Sequence, residues 1–202
     1  MVRGSRGNEE LQCRDFASTM VAFHFCMQFS DFQQLCDARA SVRAFDHEAV
    51  SRKMLDEILA CGHTAPSVGN AQPWRFHVVE DPALSARVLD ACCYGNFILG
   101  GATLVVVTCD RSAKPLDGKI LWNPREMEYS CAAALDHVLI AATAAGLGSC
   151  CVSLHHGPVH ELLGISTKEQ IIAGVLIGVP GSDTASVPHE RRPLSEVVKR
   201  HE

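Results

Sequence analysis

No Cys-x-x-Cys occurs in this chain, although ten cysteines do: Cys13, Cys26, Cys36, Cys61, Cys92, Cys93, Cys109, Cys131, Cys150 and Cys151. Zinc-ribbon and thioredoxin-like chemistry therefore has no footing. The adjacent pairs Cys92-Cys93 and Cys150-Cys151 suit a reducing compartment, where thiols pack as small hydrophobes. Also missing are a Walker loop, a Gly-x-Ser-x-Gly elbow and a Gly-x-Gly-x-x-Gly fingerprint. Gly146-Leu147-Gly148 lacks the third glycine and closes a predicted helix instead of opening one. A basic excess is absent too, with 18 Lys and Arg against 23 Asp and Glu and a net charge of −5. That balance argues against nucleic acid or an anionic membrane as general partner.

Long apolar runs are lacking. Residues 16–29 (FASTMVAFHFCMQF) are broken by His24 and Gln28 and fall short of the roughly 20 residues a bilayer needs. Glu9, Glu10 and Asp15 spoil the basic start of a signal peptide. The expectation is a cytoplasmic protein with no membrane partner. His155, His156 and His160 suggest a metal site, but Gly157 and Pro158 interrupt a shared helical face, so no metal ligands are assigned.

What is present is one domain's worth of chain: 202 residues, 47% hydrophobic and 20% charged, which excludes wholesale disorder. Met54, Leu55, Ile58 and Leu59 mark a helical face with Ser51 as N-cap, ended by Gly62 and Pro66. Residues 74–79 alternate as a half-buried strand, with Trp74, Phe76 and Val78 on one side and Arg75 and His77 on the other. Asp81-Pro82 opens a helix through about Cys92. Residues 102–109 (ATLVVVTC) and 171–179 (IIAGVLIGV) read as strands covered on both faces. Between them lie a polar stretch at 110–125, a long Ala-rich helix from about Glu126 to Ala145, an extended segment at 149–154 and a short helix at 158–163. The order predicts one layered assembly of helices and sheet, without repeats or a domain linker.

Three segments carry chemistry. Arg39-Ala-Ser41-Val-Arg43 offers two guanidiniums and a hydroxyl within five residues, a donor set suited to phosphate, or else a solvated basic turn. Pro66-Ser67-Val-Gly-Asn70-Ala-Gln72-Pro73-Trp74 is a rigid polar loop able to read the edge of a planar heterocycle, or else an ordinary connection. Gly146-Leu147-Gly148-Ser149-Cys150-Cys151-Val152-Ser153 delivers an extended segment that could pass over a ring, with Arg191 far downstream.

Together these segments resemble the nitroreductase family of FMN-dependent oxidoreductases. The family's Arg-x-Ser-x-Arg/Lys followed by Phe stands here as Arg39, Ser41, Arg43 and Phe45. Its Pro-Ser-x-x-Asn-x-Gln-Pro-Trp-x-Phe is met at Pro66, Ser67, Asn70, Gln72, Pro73, Trp74 and Phe76. The Gly-Leu-Gly turn and the closing Arg191-x-Pro193-Leu194 follow in order, so the likeness covers about residues 27–200.

The resemblance implies an α+β fold, a central mixed or antiparallel sheet flanked by helices, in an intertwined homodimer with FMN at the interface. It implies an FMN-binding domain over 27–202, with 1–26 a disordered or upstream extension and Met27 the natural start. Phosphate would lie against Arg39, Ala40, Ser41 and Arg43, with Arg191 completing the pocket; Pro66, Ser67, Asn70 and Gln72 would border the flavin; Cys151, Val152 and Ser153 would lie near its reactive side. NADH or NADPH would supply hydride, and nitroaromatics, quinones or similar acceptors would take the electrons in a ping-pong cycle. The flavin does the redox chemistry, so no side chain is named as an essential acid or base. Two departures stand out: His189 replaces a frequent Lys near the phosphate, and Ser153-Leu154 replaces a frequent Glu-Gly pair. The alternatives are a non-catalytic flavin-binding sensor or partner, a cofactor-free dimer, or a branch that removes halogen or cleaves flavin.

Overall fold

The computed structural model describes residues 27–91, 97–118, 123, 125–182 and 190–201. The expected extension 1–26 and His189 lie outside them. Six helices and four strands follow one another as α1 (Phe29–Ala38), α2 (Arg52–His63), β1 (Trp74–Val79), α3 (Pro82–Leu89), β2 (Thr103–Asp110), α4 (Glu126–Ala144), β3 (Gly148–Val152), α5 (His156–Leu163), β4 (Glu169–Gly178) and α6 (Leu194–Val197).

The strands form one sheet in the order β1-β2-β4-β3, antiparallel throughout. The valine-rich runs take the central positions because they alone are apolar on both faces. In β2, Leu104 to Cys109 are all buried, and β4 is buried from Ala173 to Gly178. One face packs Val105, Val107, Val175 and Ile177 against Leu55 and Ile58 of α2 and Val138 and Ala142 of α4. The other packs Val79, Leu104, Val106 and Leu176 against Val88 of α3 and Val159 of α5.

Helix starts follow the local chemistry. Ser51 accepts from the Met54 N–H, and Asp81 from the Ala83 N–H ahead of Pro82. Helix ends differ from expectation. Gly62 does not terminate α2 but lies inside it, buried against α4, where a Cβ would come within 2.5 Å of the Val138 side chain. There α2 needs a missing side chain more than a stop signal. The Asp81 helix ends at Leu89 rather than near Cys92. Helix α5 starts two residues before Pro158, and β4 two residues before Ile171, with a register irregularity at Ile172, between Ile171 and Ala173, beyond which polar Glu169 and Gln170 continue the pairing.

Helix α1 lies beside α4 yet buries none of its own residues, leaving Phe29 and Phe32 exposed. Leu194 and Val197 of α6 are exposed as well. No helix among the described residues is long and apolar enough to cross a membrane.

Candidate functional site

The Arg39–Arg43 segment leaves α1 and runs along the outer edge of β3. Ser41 forms a parallel bridge to Ser149, and the Val42 N–H donates to the Ser149 carbonyl at 2.9 Å. The approach is close because residue 148 is glycine: a Cβ there would meet the Val42 side chain at 2.9 Å. The chain then crosses the end of the sheet, pairing Ala44 with Ile98 and Phe45 with Pro180 and burying the Phe45 ring. Arg39, Ala40 and Ser41 are half-buried and Arg43 is exposed; no carboxylate among the described residues pairs with either arginine. Ser149 Oγ is buried and has no hydrogen-bond partner among the described residues. An orphan of this kind costs about 1–3 kcal/mol.

Further along the same edge, the alternation of an antiparallel strand decides which groups face out. Since the Ser149 carbonyl points away from β4, the backbone of Cys151 does too, whereas Cys150 and Val152 pair inward. Cys151 and Ser153 are exposed, whereas Val152 has its side chain in the core and its backbone turned to β4, so the expected contact of Val152 with a ligand has no evident group to make it. Although the residue is exposed, desolvation by the chain around it, followed by the neighbouring Cys150, pushes the Cys151 thiol up from its ordinary value.

The Pro66–Gln72 loop is elsewhere. It sits on the N-terminal part of α4, where the Val68 N–H donates to Ser130 Oγ at 3.1 Å and Ser130 in turn donates to the Glu126 carbonyl at 2.7 Å. The loop includes two non-glycine residues at positive φ, Asn70 at 52° and Gln72 at 47°. Such residues are held by their surroundings, and here the holding contacts are visible. Ser67 Oγ accepts from the Gln72 N–H, Gln72 Nε2 donates to both the Asn70 carbonyl and Asn70 Oδ1, and the Leu116 N–H donates to the Gly69 carbonyl. Part of the polar inventory that the sequence offers to a ligand is thus spent on fixing the loop. Among the described residues the hydroxyl proton of half-buried Ser67 and the amide N–H groups of exposed Asn70 are left without an acceptor.

Beside this loop lies a cleft of about 330 Å³, walled by Pro66, Val68 and Ala133 and floored by Ser130. Glu126 and Tyr129 complete it, two residues that motif reading did not single out because a helical face has no fixed sequence signature. One α4 turn places Tyr129 below Ala133 and Glu126 below Ser130.

The arginine segment and the Gly148–Ser153 segment meet along the β3 edge, but the Pro66–Gln72 loop of the same chain lies apart from both. Ser41 lies at the turn that follows α4, and Pro66–Gln72 at its other end; from Ser130 to Ala144 the helix climbs about 21 Å. Arg191 is exposed in the segment before α6, and no hydrogen bond or ion pair links it to Arg39, Ser41 or Arg43.

Residues 37–122 match the Nitroreductase family profile. A protein of Archaeoglobus fulgidus, provisionally named an NADH dehydrogenase/NAD(P)H nitroreductase, is 30% identical over 148 residues, covering 70% of this chain and 81% of its own. The 5,6-dimethylbenzimidazole synthase of Rhodospirillum rubrum is 31% identical over 184 residues, covering 80% and 83%. A solved oxidoreductase containing FMN superposes with a TM-score of 0.71 at 25% identity, covering 83% of this chain and 90% of its own. Sheet order, edge-bound arginine segment and these likenesses agree: the chain belongs to the nitroreductase family.

Proposed function

We propose that this protein is an FMN-dependent oxidoreductase that takes hydride from NADH or NADPH and reduces nitroaromatic, quinone or similar small acceptors, working as a homodimer. The separation of the two polar segments carries the reading. A flavin mononucleotide that touches both the arginine segment and the Pro66–Gln72 loop needs one from each of two chains. The exposed apolar side chains of α1 and α6 supply the surface such a pairing would bury.

The residues fit the cofactor. Among the described residues Arg39 and Arg43 are guanidiniums without a carboxylate partner, Ser41 adds a hydroxyl, and buried Ser149 Oγ lacks a hydrogen-bond partner. A partly buried dianionic phosphate needs that density of donors. The outward backbone of Cys151, the Ser67 hydroxyl and the Asn70 amide suit a flat heterocycle with donors and acceptors on its rim. Bound flavin supplies the hydride and electron transfer; the chain binds its phosphate, orients its ring and keeps water from one side with Pro66 and Val68. Cys151 stays a thiol and serves no redox step of its own.

The experiment is direct. Purified protein is expected to be yellow, to elute as a dimer and to bleach when NADPH or NADH is added without oxygen. A yellow protein that neither nucleotide bleaches is instead a flavin-binding partner, and a colourless one that ignores added FMN refutes the cofactor. Flavin broken down under oxygen, read by mass spectrometry, would move the reaction towards that of the 5,6-dimethylbenzimidazole synthase relative.

A further inference from the structure

Glu126 and Tyr129 share the cleft with Pro66 and Val68, yet none of the four motifs includes them. Tyr129 leaves 59% of its surface exposed on the helix whose neighbouring positions Met127, Ser130 and Cys131 are buried. A large ring held out on a rigid helix is a stacking platform at low entropic cost. Glu126 is the one charged residue among the cleft's lining, half-buried, with the Asn123 N–H its only hydrogen-bond donor among the described residues, at 3.5 Å. No cation among the described residues forms an ion pair with it, and Arg111 is engaged with Glu128 at 3.5 Å and with Gln170. The floor is fixed in advance by the Val68–Ser130–Glu126 hydrogen-bond chain. The lining, apolar at Pro66, Val68 and Ala133 and polar at Glu126 and Ser130, suits a flat ring that carries a hydrogen-bond donor.

We infer that Tyr129 and Glu126 select the electron acceptor: the cleft takes a flat aromatic, neutral or cationic, that stacks on Tyr129 and donates a hydroxyl or amine proton to the Glu126 carboxylate, and it disfavours aromatic anions. This deepens the proposed function and rests on it, because the cleft borders the loop assigned to the flavin ring. Both residues set specificity and neither takes part in electron transfer.

The flavin-loaded dimer is titrated by calorimetry with 2-naphthol and with 2-naphthalenesulfonate, two rings of similar shape that accept no electrons. The wild type is expected to bind the naphthol about tenfold more tightly, the worth of one charge-assisted hydrogen bond and of avoided like-charge contact. Glu126→Gln narrows that gap. Tyr129→Ala weakens both ligands about three- to tenfold, as the loss of an aromatic pair does, and Tyr129→Phe restores them. Flavin absorbance stays the same in every variant. Equal naphthol affinity in wild type and Tyr129→Ala overturns the inference, and so does tighter binding of the sulfonate. Loss of flavin colour in Tyr129→Ala overturns it too, by placing the ring against the cofactor. A colourless wild type overturns the proposed function instead; naphthol titrated onto that protein then tests the cleft alone, upheld by a loss on Tyr129→Ala and overturned by none.

Discussion

Glu169 opens β4, and its carboxylate gathers two partners from the same sheet, Thr108 on β2 and His77 on β1. Thr108 donates to it at 2.5 Å and His77 Nε2 lies 2.9 Å away. Burial pushes the carboxyl up, but the hydrogen bonds from Thr108 and His77 outweigh it and hold the group below its ordinary 4.5. Asp110 is held low as well, first by the Ser112 hydroxyl and then by backbone N–H groups. Near pH 4.5 the unfolded chain therefore binds more protons than the folded one, so stability is complete above that range and falls as acid protonates the folded carboxylates. Urea midpoints measured from pH 7 down to pH 3 should show the fall, and Glu169→Gln should flatten it. Arg39→Ala should leave the urea midpoint nearly unchanged while weakening FMN by about 1.5–3 kcal/mol, read by flavin fluorescence titration. Retained FMN affinity would put the phosphate elsewhere. Spacing alone offered both arginines as a candidate phosphate donor set or a solvated basic turn. The pairing of His77 with Glu169, 92 residues apart, was not, because cross-strand neighbours leave no local pattern.

Among the elements, α4 organises the rest. It lies under α2, carries the cleft at one end and delivers the β3 edge at the other. Its alanines were legible as a close-packing surface, and Gly62 is where the closeness is greatest. Gly62→Ala gains helix propensity, about 1 kcal/mol, but must displace buried Val138; overpacking of this kind costs about 1–3 kcal/mol, so a lower urea midpoint is expected. A raised midpoint would show that the two helices can part without loss. The two capped starts and the buried strands were readable, since each rests on contacts within a few residues; β1 was readable as a strand, but its expected alternation fails at the end, where Val78 is exposed and Val79 is buried among the α3 and α5 side chains. Glycine-based ends were less so: Gly62 has a packing reason that only the partner helix reveals, whereas Gly146, at φ 74°, does terminate α4 as expected.

At the scale of the whole molecule, the proposed sharing of each flavin between two chains makes a specific complementation expected. Arg39→Ala and Asn70→Ala homodimers should both bind flavin poorly. In a mixed dimer one site combines both defects and the other combines both intact segments, so flavin binding returns at one site per dimer. Co-expression with two affinity tags and absorbance at the flavin band measures it. Mixed dimers as colourless as either parent would mean that each site is built within one chain. Removing residues 190–201 should weaken the dimer in sedimentation, because it deletes exposed Leu194 and Val197 together with Arg191.

The amino-acid order alone determined the strands with apolar cover on both faces, the helix caps, the arginine segment, the Pro–Ser–Asn–Gln loop and, through them, the family. Each of these is written in neighbouring residues, where sterics and hydrogen bonding act over a few positions. Tertiary structure alone decided the sheet order, the burial of Gly62, the outward face of Cys151, the cleft beside Tyr129 and the distance between the two polar segments along α4. Those depend on which surfaces meet after the chain has folded back on itself, and packing energy is summed over partners that no short stretch of sequence contains.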